Sequence, residues 1–200
     1  GVTVKPIQLI SGSSPFCETF LDNVIARRAD LIGELNKGWT VGKRLLQYER
    51  SGIGGLAGAK KKEQKAIANP LIGIAKDYTG TEGAKIADHG VREKVLSHAM
   101  LERAFKLTAQ RASQENRAGG TPGAATSIFK LVGANLERDA KELKVELMGS
   151  KGIGWEGDGF LNDELNSTRM WLNSRAVTIY GGTNEVQMNI ISKRVLGLPE

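Results

Sequence analysis

The sequence predicts a mainly α-helical protein in which a short N-terminal β segment precedes a bundle of four or five helices. Two observations support this prediction. Roughly the first 35 residues mix apolar side chains with Gly, Ser, Pro and Asn, which is typical of strands and turns. From about Trp39 onward, apolar residues recur at helical spacing, and capping residues mark the ends of helices.

The N-terminal segment has the composition of strands joined by turns. Its apolar residues are Val2, Val4, Ile7, Leu9, Phe16, Phe20, Leu21 and Val24. Pro6 lacks the backbone N–H that a central strand needs, so it favours an edge strand or a break. We therefore expect extended or irregular chain before about residue 36.

The first predicted helix begins near Trp39. Leu45, Ile53 and Leu56 stand at i, i+8 and i+11, which places them on one stripe of a helix. Residues 52–57 match a loose dinucleotide-binding pattern of glycines, but that pattern requires a preceding strand. Here it follows a helical run, so small residues at a close helix contact are the better interpretation.

The second and third predicted helices are marked by their capping residues. Asp88 can cap the second, which carries Val91, Val95, Leu101, Ala104, Phe105 and Thr108. Thr121 suits the N-cap of the third, Pro122 its first position and Gly149 its end. The apolar residues that follow along the third helix are Ile128, Leu131, Val132, Leu136, Leu143 and Leu147.

Two further helices complete the predicted bundle. The fourth lies around Trp171 and reaches Tyr180. After a break at Gly181 and Gly182, Thr183 can cap the last helix. The inward residues of that helix are Val186, Ile190 and Val195, and beyond its end lie Gly197 and Pro199.

Composition and charge exclude several classes of protein. An apolar share of 40% supports a packed core, and no run approaches the roughly 18 apolar residues of a membrane span. The net charge of +6 lies largely in four lysines between positions 60 and 65, without interleaved aromatic residues, which favours a solvated helix face over nucleic-acid binding. The single Cys17 cannot form an internal disulfide and fits a reducing compartment, the bacterial cytoplasm or, in a eukaryote, the mitochondrial matrix.

The C-terminal segment carries a family resemblance. Residues 179–187 read Ile-Tyr-Gly-Gly-Thr-Asn-Glu-Val-Gln, and the pattern continues through residues 189–191 and 194–199. This stretch closely resembles the C-terminal signature of acyl-CoA dehydrogenases.

Upstream segments resemble the same family. Residues 20–24, 31–34 and 38–39 are similar to the last strand of the family's β domain and its lead into the helical bundle. Residues 45–55 resemble the first bundle helix. The matches follow the family's order and spacing, so the resemblance covers essentially the whole chain.

The resemblance implies a domain organisation. Residues 1–36 would be the end of the β (middle) domain, and residues 37–200 the C-terminal helical-bundle domain with helices running up and down. Family members begin with an N-terminal helical domain, which is expected to be absent here, and they bind FAD between the β domain and the bundle. Assembly as a homodimer or tetramer through the bundle is also implied.

The reaction that the resemblance implies is oxidation of an acyl-CoA thioester to a trans-2-enoyl-CoA. A carboxylate removes the α-proton while the β-hydrogen leaves as a hydride to FAD. Burial of such a carboxylate raises its pKa and makes it a stronger base. The implied electron acceptor is an electron-transferring flavoprotein. The isolated 200-residue fragment is expected to be inactive, because half of the flavin and thioester site would lie in the missing domains.

The position of the catalytic base departs from the commoner family pattern. Many relatives have a Glu directly after the Tyr of the terminal signature, where this chain has Gly181. A minority branch has its base on the first bundle helix, before an Arg, and the matching residue here is Glu49. Glu49 lies at i+4 from Leu45 and i−4 from Ile53, on the apolar stripe. The structural alternative is an ion pair of Glu49 with Lys43, Arg44 or Arg50.

The remaining site residues follow from the resemblance. The expected substrate-binding residues are Gln47, Tyr48, Arg50, Tyr180, Gly181 and Gly182. The expected FAD-binding residues are Thr183, Asn184 and Glu185, although plain helix capping would explain Thr183 equally well. His89 and His98 are isolated, and no metal site is expected.

Two regions depart from the family's flavin contacts, and two rival readings stay open. Residues 75–92 lack an Arg-x-x-Phe-Gly stretch that holds the FAD adenosine in many relatives, and the glycine-rich loop 149–159 matches only loosely. One rival is a catalytically weak homologue that serves as a structural subunit of a heteromeric acyl-CoA dehydrogenase complex. The other is a basic helical bundle unrelated to the family.

Overall fold

The computed structural model of the 200-residue chain describes residues 1–55, 69–117 and 125–199. Within those ranges, the side chains of residues 47–55, 116–117 and 125–126 are outside the description. The chain divides into two units, Gly1–Lys60 and Lys61–Glu200.

The first unit begins with an antiparallel hairpin of β1 (Val2–Ile7) and β2 (Phe16–Leu21). Within the described ranges each strand pairs with the other alone, so Pro6 lies on an edge strand, where its missing N–H is tolerated. A short 3-10 turn at Arg28–Asp30 follows, and the unit continues into α1 (Gly38–Gly55). The expectation of extended or irregular chain before residue 36, followed by a helix near Trp39, is confirmed.

The second unit is mainly helical. Its elements are α2 (Pro70–Thr79), β3 (Thr81–Glu82), β4 (Lys85–Ile86), α3 (His89–Arg117), α4 (Ala125–Leu147), a 3-10 helix (Gly149–Ile153), α5 (Asn162–Asn173), a second 3-10 helix (Ser174–Thr178), α6 (Asn184–Ile190) and a π-helical turn (Ile191–Val195). The mainly α prediction with a short N-terminal β segment is confirmed. No helix in the described ranges is long and apolar enough to cross a membrane.

Side-chain caps fix where several of these helices begin. The Asp88 carboxylate accepts a 2.8 Å hydrogen bond from the Val91 N–H, so the cap predicted for α3 is confirmed. Asn69 caps α2 by accepting from the Leu71 N–H at 2.9 Å, with Pro70 at the first helical position. Neither α2 nor the small β3–β4 hairpin was predicted from the sequence, although the Asn-Pro pair is a helix-start signal.

The core of the second unit lies where α2, β4, α3 and α4 meet. Its buried residues are Leu71, Ala75, Ile86, Val95, Leu143 and Leu147, of which Ala75 and Val95 are 0% exposed. Val95, Leu143 and Leu147 are among the apolar residues that the sequence indicated along the predicted helices. Leu101 is 61% exposed, because it lies off the stripe of Val95 and His98 through which α3 packs on its neighbours.

The C-terminal segment differs from the prediction in two ways. Regular α-helix α5 ends at Asn173, and a tighter 3-10 helix carries the chain to Thr178, so the fourth helix does not continue to Tyr180. In α6, Val186 is 48% exposed and Gln187 is buried, because this helix packs on α4 through polar side chains. Val195, in the π-helical turn beyond α6, is also exposed. The inward prediction for Val186 and Val195 is therefore wrong.

The ends of α4 bear on two further predictions. Thr121 and Pro122, the predicted start of the third helix, lie outside the described residues. At the other end, α4 stops at Leu147, and Gly149 has a φ of +54°, a left-handed conformation common just after helices. The predicted role of Gly149 as a helix stop is confirmed.

Candidate functional site

The candidate site in the second unit is built around residues 179–183, which we call the signature turn. The Ala176 carbonyl accepts hydrogen bonds from the N–H groups of Ile179 (2.9 Å) and Tyr180 (3.0 Å), which closes the preceding 3-10 helix. The chain then reverses through Gly181 and Gly182, whose φ angles are +66° and +94°. Both values lie in the left-handed region that side chains with a Cβ adopt only under strain.

Space also restricts Gly182. A Cβ at this position would lie 2.5 Å from Nε2 of Gln187, whose side chain is buried in α6. That amide already donates a long hydrogen bond, 3.5 Å, to the Gly182 carbonyl. The turn is therefore shaped for glycine at position 182, both by its backbone angles and by its neighbour.

Thr183 and Glu185 organise the start of α6. The Thr183 hydroxyl accepts from the Val186 N–H at 3.3 Å, so the predicted cap is confirmed. The Glu185 carboxylate accepts from its own backbone N–H and then from the Thr183 hydroxyl, and these bonds hold the pKa of Glu185 below its usual value. Capping accounts for the observed contacts of Thr183, and its expected role in FAD binding stays a prediction.

Asn184 has an unsatisfied acceptor. Its side-chain nitrogen donates a 2.9 Å hydrogen bond to the Asn135 amide oxygen on α4. Its own amide oxygen is buried and has no hydrogen-bond partner among the described residues. Buried polar atoms normally have a partner, so this oxygen is positioned to accept from a bound group that carries N–H or O–H donors.

Tyr180 lies over a polar face of α4. The Lys130 ammonium is 5.9 Å from the centroid of the Tyr180 ring, and it donates a 2.7 Å hydrogen bond to the Val177 carbonyl. Burial lowers the pKa of Lys130. Burial, and then the negative charge of Glu137, raise the pKa of the Tyr180 hydroxyl. Both groups therefore lie in a partly desolvated setting.

The residues that α4 contributes to this site were not predicted from the sequence. Lys130, Asn135 and Glu137 belong to no motif, and their partners lie 40 or more positions further along the chain. One signal was available. Lys130 and Glu137 stand at i and i+7 around Ala134, so three residues of one helix face combine a cation, a buried small residue and a carboxylate.

The predicted residues of α1 form a separate group in the first unit. Glu49, the proposed base, and Gln47, Tyr48 and Arg50 lie on helical backbone within α1. Their side chains lie outside the described part of the structure. The roles of these four residues therefore stay predictions. Tyr180, Gly181, Gly182, Thr183, Asn184 and Glu185, by contrast, lie in one continuous described segment.

Most of the chain matches one protein-family model. The model described as acyl-CoA dehydrogenase, C-terminal domain, matches residues 36–196. Over 199 residues the chain is 34% identical to the acyl-CoA dehydrogenase IpdE1 of Mycolicibacterium smegmatis, a match that covers 100% of this chain and 46% of that protein. The acyl-CoA dehydrogenase FadE34 of Mycobacterium tuberculosis is 28% identical over 199 residues, covering 100% of this chain and 25% of that protein. The chain thus spans less than half the length of these curated relatives.

Solved structures share the fold. The Tcur3481-Tcur3483 steroid ACAD superposes with a TM-score of 0.75 at 21% identity, covering 100% of this chain and 50% of that one. The ChsE4-ChsE5 complex from Mycobacterium tuberculosis gives a TM-score of 0.71 at 23% identity, covering 100% and 51%. At these identities the comparison supports the architecture of the described elements.

Proposed function

This chain belongs to the acyl-CoA dehydrogenase family, and we propose that the complete protein oxidises an acyl-CoA thioester to a trans-2-enoyl-CoA with bound FAD. The observation that best supports the proposal is the match of residues 36–196 to the family's C-terminal domain, which includes the signature turn. The 34% identity to a named acyl-CoA dehydrogenase over the whole of this chain supports it further.

Residues around the signature turn fit a bound flavin. The Asn184 amide oxygen is buried and unsatisfied, so it can accept a hydrogen bond from an N–H or hydroxyl group of the cofactor. We assign Thr183, Asn184 and Glu185 to FAD binding on this basis and on their place in the signature. When bound, FAD supplies the acceptor for the β-hydrogen, which leaves the substrate as a hydride.

Gly181 has a role that needs no side chain. Its N–H makes no hydrogen bond within the described part of the chain, so it is available to donate to a ligand oxygen. We propose that it donates to the thioester oxygen of the substrate, where negative charge develops as the α-proton leaves. The flanking Tyr180 and Gly182 would contact the same part of the substrate.

Glu49 is the residue that we propose as the base. It would remove the α-proton of the thioester, a task that Gly181 cannot perform although many relatives have a Glu at that position. Its place on the apolar stripe of the sequence, between Leu45 and Ile53, supports this role, because a general base must be held in a water-poor pocket against the proton that it removes. Gln47, Tyr48 and Arg50 are proposed as substrate contacts on the same helix.

Association with other proteins is part of the proposal. The α3 surface exposes Leu96, Met100 and Leu101, which supports a homodimer or tetramer formed through the helices. An electron-transferring flavoprotein is the acceptor that we propose for the electrons. Sedimentation of the full-length protein as a monomer would contradict the oligomer.

A second candidate function is that of a structural subunit. Gly181 stands where many relatives have their base, and two structural neighbours are named as pairs, Tcur3481-Tcur3483 and the ChsE4-ChsE5 complex. In that case the full-length protein would bind to a second family member and would not reduce flavin by itself.

Anaerobic mixing of the full-length protein with a panel of acyl-CoA thioesters tests the proposed function. The panel should contain short, long and branched chains, together with the CoA thioester of a steroid acid, because one neighbour is named a steroid ACAD. We expect at least one thioester to bleach the flavin absorbance and form the enoyl-CoA. Bound flavin that no thioester reduces would contradict the proposal and favour the structural subunit.

A further inference from the structure

Helix α4 contacts the chain on both sides of the signature turn. Lys130 and Glu137 stand at i and i+7 on one face of α4, with Ala134 between them, 7% exposed. Helix α4 packs on the 3-10 helix Ser174–Thr178. The Lys130 ammonium lies over the Tyr180 ring, and the negative charge of Glu137 acts on the Tyr180 hydroxyl.

Lys130 contacts the chain just before the signature turn. Its Nζ donates a 2.7 Å hydrogen bond to the Val177 carbonyl, and the contact is partly buried. Val177 lies near the C-terminal end of the 3-10 helix, where carbonyl groups lack helical partners and a cation is favoured. The same ammonium lies over the Tyr180 ring at 5.9 Å, within the range of a cation–π interaction.

Asn135 contacts the chain just after the signature turn. Its amide oxygen accepts the 2.9 Å hydrogen bond from the Asn184 side chain at the first position of α6. Between the two contacts lie Gly181 and Gly182, which have the widest conformational freedom of any residues. Glycine has no side chain that restricts its backbone, so contacts of the neighbouring residues must fix the direction of these two N–H groups.

We propose that Lys130 is a positioning residue that fixes the signature turn, so that the Gly181 N–H points at the thioester oxygen of the substrate. The catalytic consequence of this inference rests on the proposed function, whereas the contact by which Lys130 holds the turn does not. A lysine that only stabilised the fold would affect unfolding alone. A positioning lysine also affects the local order of residues 179–183 and the rate of the chemical step in folded protein.

The test uses the full-length flavoprotein with the variants Lys130→Met, Lys130→Arg and Lys144→Met. Met keeps the length of the lysine stem without its charge, and Arg keeps a cation that can donate to a carbonyl. Lys144→Met is the control, because Lys144 also links α4 to another element, through a 2.9 Å ion pair with Asp163 on α5, away from the turn. If Lys130→Met does not fold, Lys130→Gln replaces it.

Hydrogen exchange measured by mass spectrometry, without substrate, tests the structural part. We expect amides in peptides covering residues 176–183 to exchange roughly 10-fold faster in Lys130→Met, because a charge-assisted hydrogen bond is lost. Lys130→Arg and Lys144→Met should exchange there as the wild type does. Unchanged exchange in Lys130→Met would overturn the proposal.

Stopped-flow flavin reduction tests the catalytic part, with whichever panel thioester reduces the wild type. At saturating thioester we expect Lys130→Met to reduce its flavin roughly 10-fold or more slowly, with Lys130→Arg close to the wild type. Faster exchange together with an unchanged reduction rate would overturn the positioning role. A wild type that no thioester reduces would refute the proposed function instead, and the exchange result would still decide whether Lys130 holds the turn.

Discussion

The Tyr78 hydroxyl donates a 2.9 Å hydrogen bond to the Glu164 carboxylate, across 86 positions of sequence. This bond joins α2 to α5 in the second unit. Glu164 is 2% exposed, and its other oxygen accepts a 2.7 Å hydrogen bond from the Leu161 N–H. The Leu161 N–H is the main reason that the pKa of Glu164 lies below its usual value. A buried carboxylate is thus satisfied by two donors from different elements.

Removing the Tyr78 hydroxyl should destabilise the second unit. In Tyr78→Phe the buried Glu164 loses one of its donors, and we expect a loss of about 1–3 kcal/mol in the free energy of unfolding. Thermal unfolding of the full-length protein measures this as a lowered midpoint. The control is the same change in a Glu164→Leu background, where the hydrogen bond is already absent. An equal loss in both backgrounds would contradict the assigned interaction.

The same bond predicts a pH dependence at the alkaline end. Burial, and then the hydrogen bond to Glu164, raise the pKa of Tyr78 from 10.0 to about 12. Below pH 10 the hydroxyl is protonated in both states and its full contribution to stability is present. Between pH 10 and 12 the unfolded chain loses this proton while the folded chain keeps it, so stability falls. We expect the difference in unfolding midpoint between wild type and Tyr78→Phe to shrink between pH 10 and 12. A difference that stays constant over that range would contradict the raised pKa of Tyr78.

Gly182→Ala should destabilise more than a matched glycine substitution. Gly157, with a φ of +109° and open space around its Cβ position, is the control for backbone strain alone. Gly182 adds the 2.5 Å approach to Nε2 of Gln187. We expect Gly157→Ala to cost about 1 kcal/mol of unfolding free energy and Gly182→Ala about 1–3 kcal/mol. Equal midpoints for the two variants in thermal unfolding would show that Gln187 moves aside freely.

Asn184→Leu should weaken flavin binding. Leu has a similar size but offers no acceptor, so the bond that we propose from the unsatisfied Asn184 oxygen to FAD is lost. We expect the FAD dissociation constant of the full-length protein to rise roughly 10-fold. Asn173→Leu, at the exposed end of α5, is the control. Unchanged affinity in Asn184→Leu would remove this residue from the cofactor site.

Local sequence signals predicted the fold well where the physical cause is itself local. Asp88 and Thr183 cap helices through N–H groups three positions away, so their roles can be read from neighbouring letters. The family signature at residues 179–187 predicted the family that the comparisons show. The short helix α2 was missed because ten residues carry too little periodicity, although Asn69 and Pro70 mark its start.

Long-range polar contacts could not be predicted from spacing. The Tyr78–Glu164 bond and the Lys130 contact to Val177 join residues 86 and 47 positions apart, and no local pattern specifies such pairs. Exposure of Val186 was also missed, because α6 packs on α4 through Gln187 and Asn184 and not through its apolar residues. Periodicity finds an apolar stripe, but it does not show which face a short helix buries.

The assignment of Glu49 as the catalytic base rests on the family resemblance and on the place of Glu49 in the apolar stripe of α1. Glu49→Gln keeps the size of the side chain and removes the basic oxygen, so FAD and thioester binding should persist. Glu115→Gln is the control, because Glu115 is an exposed carboxylate in a surface ion pair with Arg111. Both variants should therefore be isolated as folded full-length flavoproteins.

The rate of flavin reduction by saturating acyl-CoA in a single anaerobic turnover tests the central claim most directly. We expect Glu49→Gln to bind the thioester and to reduce its flavin roughly 10²–10⁴-fold more slowly than the wild type, while Glu115→Gln reduces it at the normal rate. Flavin reduction by Glu49→Gln at the wild-type rate would contradict the assignment of the base.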